Sequence, residues 1–296
     1  MKFGKVDQPE LIDFTLPPDH PDTAGILAKG TTPLSTAYVG CAKWNRADLK
    51  GFYPRGTKDE LSYYSTQFNS IELNATFYNL YGEEQIKTWC DKTPETFRFF
   101  PKVNQRVSHF GRLKNVDALV DDIANSMRAF GDRMGMMFLQ LHNNFGPKDM
   151  ARVRRFAEIW PKDIPLAVEL RHTDWFNDEV VANEIYQLFE QHNIANIITD
   201  TAGRRDLLHM RLTTPIAFIR YVGANHESDY PRLDHWLERI LEWKEQGLEQ
   251  LYFFVHQNTE KESPLLSTYF IEKLNKATGF SVVFPHKAEE QGSLGI

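Results

Sequence analysis

The stretch Leu166-Ala167-Val168-Glu169 is a short apolar run that ends on a charged residue. Six further apolar runs along the chain repeat this pattern and end on a charged or strongly polar side chain. The residues that end those six runs are Glu72, Lys102, Gln140, Asp200, Arg220 and His256. Continuous apolar runs of this length are typical of strands buried on both faces, which occur in parallel sheets. The recurrence therefore predicts a parallel α/β fold.

The polar residues mark one edge of the predicted sheet. Charge is unfavourable inside a strand buried on both faces, so its repeated appearance at the carboxyl end indicates a place where polar groups converge. In parallel α/β folds the carboxyl ends of the strands carry the ligand site. The pattern thus predicts where the protein acts, and it does not specify a reaction.

Composition and charge exclude several classes of protein. The chain has 296 residues and 42% hydrophobic content, enough for the core of one large α/β domain. Its formal net charge of −6 gives no global attraction to nucleic acid or to an anionic membrane. No apolar stretch approaches the roughly 18 residues of a membrane span, and the first residues lack the apolar core of a signal peptide. We expect a cytoplasmic protein without a membrane partner; no feature indicates its oligomeric state.

Strand and helix signals alternate along most of the chain. Residues 1–36 contain several prolines and glycines and read as an irregular extension, whereas residues 280–296 read as a surface tail. Between them, residues 37–279 contain eight predicted strands separated by about seven good helical segments. This alternation favours a single (β/α)8 barrel of the TIM type. No GxGxxG motif or P-loop is present, so no nucleotide cofactor is indicated.

Several short sequence motifs at the predicted strand ends together resemble those of one known family. They include Ile71-Glu72-Leu73-Asn74-Ala75-Thr76-Phe77-Tyr78, Phe138-Leu139-Gln140-Leu141 and Ala167-Val168-Glu169-Leu170-Arg171-His172 followed by Trp175. In these motifs the chain resembles the YecE-like proteins, known as domain of unknown function 72, over about residues 37–277. The resemblance implies a soluble protein with a TIM-type barrel. It implies no reaction, because the family has none established.

Two carboxylates, Glu72 and Glu169, lie at the ends of the second and fifth predicted strands. Two carboxylates in one concave site can act as general acid and base if their surroundings separate their pKa values. We therefore predict both as catalytic residues. The alternative is that each forms a structural ion pair with a basic neighbour, for which Arg171 and Arg220 are available.

Lys102 is the third predicted catalytic residue. At the end of a buried strand, a lysine can form a Schiff base or hold an anion as a point charge. With carboxylates nearby its pKa is expected to remain high, which favours the charged role. The sequence leaves both roles open.

Nine further residues are predicted to bind substrate. They are Asn74, Tyr78, Gln140, Arg171, His172, Trp175, Asp200, Arg220 and His256. The aromatic side chains would stack on a sugar or a base, or belong to the upper core. No HxH or HExxH spacing occurs, so no metal ligand is assigned and a divalent ion remains open.

Three classes of function fit these features. The first is an enzyme that acts by acid/base chemistry on a small anionic or polyhydroxyl substrate such as a sugar phosphate. The second is a nucleic-acid-processing protein, for which Arg204 and Arg205 would form part of the footprint. The third is a protein that binds a small ligand without converting it. The rim charges favour the first.

Overall fold

In the computed structural model, residues 5–285 are described, and eight short strands alternate with helices. The strands are β1 (Ala37–Cys41), β2 (Ser70–Leu73), β3 (Arg98–Pro101), β4 (Met137–Gln140), β5 (Leu166–Glu169), β6 (Ala195–Thr201), β7 (Ile216–Gly223) and β8 (Gln250–Gln257). The helices are α1 (Thr23–Leu27), α2 (Glu60–Gln67), α3 (Ala75–Tyr78), α4 (Glu83–Asp91), α5 (Asp117–Met127), α6 (Met150–Ile159), α7 (Asp174–Asn177), α8 (Glu179–Gln191), α9 (Asp229–Gln246) and α10 (Ser263–Thr278). Each of the seven residues that end the apolar runs lies in one of these strands or directly after it, as predicted.

The strands form two parallel sheets. Six of them make one curled sheet, a half-barrel, in the order β1-β8-β7-β6-β5-β4, and β2 pairs with β3 in the second sheet. Isolated parallel bridges join Phe99 to Met134 and Lys102 to Phe138, next to the facing edges of β3 and β4. The α/β class and the parallel pairing are confirmed.

Between β1 and β2 a side chain takes the place of backbone pairing. The Asn69 side chain accepts a hydrogen bond from the Val39 amide at 3.0 Å and donates one to the Ala37 carbonyl at 2.7 Å. Gly40 lies so close to β2 that a Cβ atom would be 2.1 Å from the Ser70 carbonyl oxygen. Only glycine fits at this point, because any side chain would push the two strands apart.

Alternation along the strands divides the core into two layers. One layer fills the concave face of the curled sheet, and the other lies between the sheet and the helices. The concave layer consists of Phe100, Met136, Phe138, Ala167, Ala195, Ile197, Phe218, Tyr252 and Phe254. Successive side chains of a strand point to opposite faces. A polar residue two positions after one of these apolar residues therefore faces the concave side too.

The N-terminal segment packs against the rest of the fold. His20 donates its backbone amide to the Met210 carbonyl at 3.0 Å, and Leu27 of α1 is fully buried. The Arg232 guanidinium lies 4.3 Å from the centre of the Phe14 ring. Part of the predicted tail, residues 286–296, lies outside the described residues. No helix in the described part of the chain is long and apolar enough to cross a membrane.

Candidate functional site

Six strand-end side chains meet on the concave face in one continuous hydrogen-bonded network. Five of them lie two residues after a residue of the concave layer, and Glu72 lies on the same face of β2. All six side chains therefore face the concave side. The members are Glu72, Lys102, Gln140, Glu169, Arg220 and His256. We call this set the rim network.

Arg220 is the centre of the rim network. Its Nε donates to Glu72 Oε2 at 2.8 Å and its Nη2 to Glu72 Oε1 at 2.9 Å, a bidentate pair. Its Nη1 donates to Glu169 Oε2 at 2.5 Å. The His256 ring completes this part, with its Nε2 2.9 Å from Glu72 Oε2. One guanidinium therefore holds both carboxylates in place.

Both carboxylates are ionised at neutral pH. Burial alone would raise the pKa of Glu72, but the charges of Arg220 and His256 outweigh it and hold this pKa well below its usual range. Burial would likewise raise the pKa of Glu169, but the charges of Arg171 and Arg220 outweigh it and lower this pKa. The geometry therefore matches the ion-pair alternative for Glu72 and Glu169, because a tightly paired carboxylate is a poor proton acceptor at pH 7.

Glu169 also fixes the orientation of Gln140. The Gln140 amide nitrogen donates to Glu169 Oε2 at 2.9 Å, since a carboxylate can only accept. The Gln140 amide oxygen therefore points to Lys102, whose Nζ donates to it at 2.9 Å. A chain of charge-linked hydrogen bonds thus runs from Arg220 through Glu169 and Gln140 to the amine of Lys102.

The pKa of Lys102 differs from the expectation. Burial lowers it most, and Arg220 and Arg171 lower it further, to about 7. Glu72 and Glu169 act in the opposite direction, but the two arginines offset their charge. The prediction that nearby carboxylates would keep this pKa high is wrong, because the arginines occupy those carboxylates.

Aromatic rings surround the Lys102 amine. Its Nζ lies 4.3 Å from the centre of the Phe77 ring and 5.9 Å from that of Phe138. His109 packs edge-on against Phe77 at 4.9 Å, and burial followed by the charge of Lys102 lowers its pKa to about 4. His109 was missed by the sequence reasoning. It lies in a π-helical turn, Arg106–Phe110, which no strand-end pattern marks.

Two more predicted binding residues join the rim network. Asn74 donates to Glu72 Oε1 at 2.8 Å, and Arg171 Nε donates to Glu169 Oε1 at 2.6 Å. The Arg171 side chain is 15% exposed and that of His256 is 13% exposed, whereas those of Glu72 and Glu169 are buried. Arg171 and His256 therefore lie on the solvent side of the network, where a ligand would meet them.

Asp200, predicted to bind substrate, does not join the rim network. It is fully buried between the sheet and α9. There it accepts hydrogen bonds from Arg232 Nη2 at 2.9 Å and Trp236 Nε1 at 2.8 Å, and it pairs with Arg205. The physical reason is the alternation of β6, in which Ile197 faces the concave side and Asp200, three residues on, faces the helices.

Three other predicted binding residues lie apart from the network. Trp175 is fully buried in the core, and its indole N–H donates to the Phe145 carbonyl at 2.7 Å. His172 lies beside Asp174, with 3.6 Å between Nδ1 and the carboxylate. Tyr78 is 65% exposed and contacts Phe77 edge-on at 5.0 Å, at the outer border of the site.

Thr199 is a second residue that the sequence reasoning missed. It lies opposite Arg220 in the β6–β7 register and, like Ile197, on the concave side. Its side chain is buried, and its hydroxyl has no hydrogen-bond partner among residues 5–285. An unpartnered buried hydroxyl is costly, so a hydrogen bond to a bound molecule at this point would be favourable. The alternation of β6 is the signal that would have selected Thr199 instead of Asp200.

A metal ion needs several donor side chains that converge on one point. In the described part of the chain, no three His, Cys, Asp or Glu side chains are arranged to hold one. Glu72 and Glu169 are bridged by Arg220, a cation at the place that a metal would occupy between them. The rim network is thus an ion-pair assembly built around a guanidinium.

The sequence and the fold assign the chain to a family of α/β proteins. A family model described as "Protein of unknown function DUF72" matches residues 38–291, and the chain belongs to this family. The UPF0759 protein YecE of Escherichia coli K12 is 26% identical over 261 residues, covering 81% of this chain and 93% of that protein. The UPF0759 protein YunF of Bacillus subtilis 168 is 28% identical over 149 residues, covering 47% of this chain and 52% of that protein.

Solved structures show the same fold. A DUF72 family protein from Thermotoga maritima superposes with a TM-score of 0.66 at 24% identity, covering 81% of this chain and 99% of that one. Another from Enterococcus faecalis gives a TM-score of 0.66 at 16% identity, covering 86% of this chain and 100% of that one. These names specify no reaction, so a function has to be argued from the site.

Proposed function

We propose that this protein is an enzyme that transfers protons to and from a small anionic or polyhydroxyl substrate, with Lys102 as the reacting acid/base. The single observation that carries the proposal is a buried lysine whose pKa is about 7, held by Gln140 at the edge of the rim network. An acid/base catalyst works best when its pKa lies near the operating pH. Strong perturbation by burial and specific charges is typical of functional sites.

We also propose that residues 37–279 form a closed (β/α)8 barrel that holds the site, with an extension at 1–36 and a tail at 280–296. The bridges from Phe99 and Lys102 to the fourth strand region support closure on one side. The Asn69 side chain, which links β1 to β2, supports it on the other. In such a barrel the six members of the rim network would lie at the mouth, where ligands bind.

Within the proposed site, the charged residues have different tasks. Glu72, Glu169 and Arg220 form a fixed electrostatic frame, because each charge is buried and paired. Burial lowers the pKa of Lys102 most and Arg220 lowers it further, whereas Glu72 and Glu169 raise it. Gln140, which Glu169 orients, positions the amine. Lys102 is then poised to change its protonation state near pH 7.

The polar groups around Lys102 suit a small anionic or polyhydroxyl substrate. Arg171 and His256 are partly exposed and can meet an anionic or hydroxyl group from the solvent side. The unpartnered hydroxyl of Thr199 offers a hydrogen bond beside Arg220. A small polar molecule that reaches both Lys102 and Thr199 would satisfy each of these groups.

The charges of the loop after β6 weaken the case for nucleic acid. Arg204 pairs with Asp206 at 2.9 Å, and Arg205 pairs with Asp200. The two cations that would form a phosphate footprint are therefore each paired with a carboxylate of the chain. Together with the net charge of −6, this favours the small-molecule enzyme.

Deuterium exchange tests the proposal without knowledge of the full reaction. The protein is incubated in D2O at pH 7.5 with a panel of triose, pentose and hexose phosphates and the corresponding free sugars, and carbon-bound protons are followed by NMR. We expect loss of a proton signal from at least one member. The variant Lys114→Met, which changes an exposed lysine, is the matched control and should exchange like wild type. A member that raises the melting temperature without exchange would identify a binding protein instead.

Thr199→Val tests the ligand contact. Valine keeps the shape and removes a hydroxyl that has no partner, so we expect unchanged or slightly raised stability. Affinity for the panel member that stabilises wild type should fall about tenfold, which corresponds to about 1.4 kcal/mol. Titration calorimetry and urea unfolding measure the two effects.

Thr213→Val is the matched control for this variant. The Thr213 hydroxyl is buried too, but it accepts from the Asn196 amide at 2.9 Å and donates to the Ile194 carbonyl at 2.7 Å. This substitution should cost about 1–3 kcal/mol of stability and leave the affinity unchanged. If Thr199→Val behaves in the same way, the Thr199 hydroxyl makes no ligand contact.

A further inference from the structure

We infer that Lys102 is a nucleophile whose amine forms an imine with an aldehyde or ketone group of the substrate. This inference rests on the proposed function, which brings the substrate to Lys102, and it names the substrate class as a small carbonyl compound. Its basis is the arrangement of the groups around Nζ, which is surrounded by Gln140 and Phe138 of β4 and by Phe77 of α3.

The hydrogen bonds of the amine leave its lone pair available. A neutral lysine has two N–H groups and one lone pair on Nζ. Gln140 can only accept from Nζ, because its own amide nitrogen is engaged with Glu169. The face of the Phe77 ring, 4.3 Å away, accepts N–H groups but cannot donate to a lone pair. Both neighbours therefore orient the N–H groups and keep the electron pair free for attack.

Burial and the nearby arginines favour the neutral amine. Burial disfavours the ammonium form most, Arg220 and Arg171 disfavour it further, and Glu72 and Glu169 act in the opposite direction. With a pKa of about 7, about half of the Lys102 amines carry a free electron pair at pH 7. For an exposed lysine of pKa about 10.4, the neutral fraction at this pH is roughly one in 2,500. Lys102 is thus activated in the way that desolvation and a neighbouring cation activate an amine.

The reaction balances without a further reagent. The Nζ electron pair attacks the carbonyl carbon, the C–O double bond becomes a single bond, and a proton moves from nitrogen to oxygen to give a carbinolamine. The C–O bond then breaks, water leaves, and a C–N double bond forms. Uptake of one proton from solvent gives the iminium ion, an electron sink that makes loss of a neighbouring proton easier. The imine therefore supplies a reason for the proposed proton transfer.

Reductive trapping tests the inference on the full-length protein. It is incubated at pH 7 with glyceraldehyde or with glyceraldehyde 3-phosphate in the presence of cyanoborohydride, and each lysine adduct is quantified by peptide mass spectrometry. We expect Lys102 to be trapped at least tenfold faster than the exposed Lys114. Its rate should reach half its maximum near pH 7. A preference for the phosphorylated probe would assign the anionic group to the substrate.

The outcomes separate this inference from the proposed function. If Lys102 is trapped no faster than Lys114, the imine is ruled out. If deuterium exchange is then still seen, the acid/base function stands without it. If Lys102 is trapped selectively but no panel member exchanges a proton, the imine inference is supported and the proposed proton transfer fails.

Discussion

Arg220→Met is expected to destabilise the protein by about 3–5 kcal/mol at pH 7, because it leaves two buried carboxylates without their shared cation. Glu72 would keep only the His256 ring and Asn74, and Glu169 would keep Arg171 and Gln140. Urea unfolding of the variant and the wild type measures the difference. The exposed pair Arg154–Glu184 gives the control, since Arg154→Met should cost less than about 1 kcal/mol.

The pH dependence of this variant has a defined sign. In the wild type the pKa values of Glu72 and Glu169 are lowered, so these groups stabilise the fold above the ordinary carboxyl pKa and lose that effect as pH falls. Without Arg220, burial raises their pKa values, and protonation then favours the folded variant. The stability difference should therefore shrink between pH 7 and pH 4. A constant difference would contradict the role assigned to Arg220.

The sequence predicts this frame well because the relevant signal is local. Most of the apolar runs end two residues after a concave-layer residue, and this spacing places Glu169 and Arg220 on the concave face, where Glu72 also lies. The run that ends at Asp200 departs from this spacing, because Asp200 lies three residues after Ile197. Alternate residues of a strand face the same side, so the concave residue near the end of β6 depends on the strand register. Thr199, two residues after Ile197 and opposite Arg220, faces the concave side, and Asp200 does not.

Other features of the site could not be derived from the sequence because they arise from contacts between distant elements. The lowered pKa of Lys102 depends on how the arginines divide the carboxylates between them. The position of His109 depends on a π-helical turn that packs against Phe77. The burial of Trp175 depends on its hydrogen bond to the Phe145 carbonyl. None of these contacts leaves a periodic pattern.

Lys102→Met is expected to lower the rate of proton exchange by about 10²–10⁴-fold, the usual contribution of a general acid/base. Methionine matches the unbranched shape and lacks the amine. The rate in D2O, compared with that of Lys114→Met, measures the effect. An exchange rate equal to that of the control would remove Lys102 from the reaction.

The stability of Lys102→Met shows whether the variant is folded and why the amine is perturbed. The folded pKa of Lys102 lies below its unfolded value, so the ammonium form opposes folding at low pH and this penalty fades as pH rises from about 7 to about 10. The variant should therefore be at least as stable as wild type at pH 6. The difference should decrease towards pH 10.

The pKa of Lys102 is the quantity on which the proposed function and the imine both depend, and competitive acetylation of the native protein measures it directly. Trace acetic anhydride is added at a series of pH values, and the modification of Lys102 is compared with that of Lys114 by mass spectrometry. We expect a midpoint near pH 7 for Lys102, well below that of an ordinary exposed lysine side chain. A midpoint for Lys102 at or above 10 would show an ordinary ammonium ion and would rule out Lys102 as the acid/base and as the imine-forming amine.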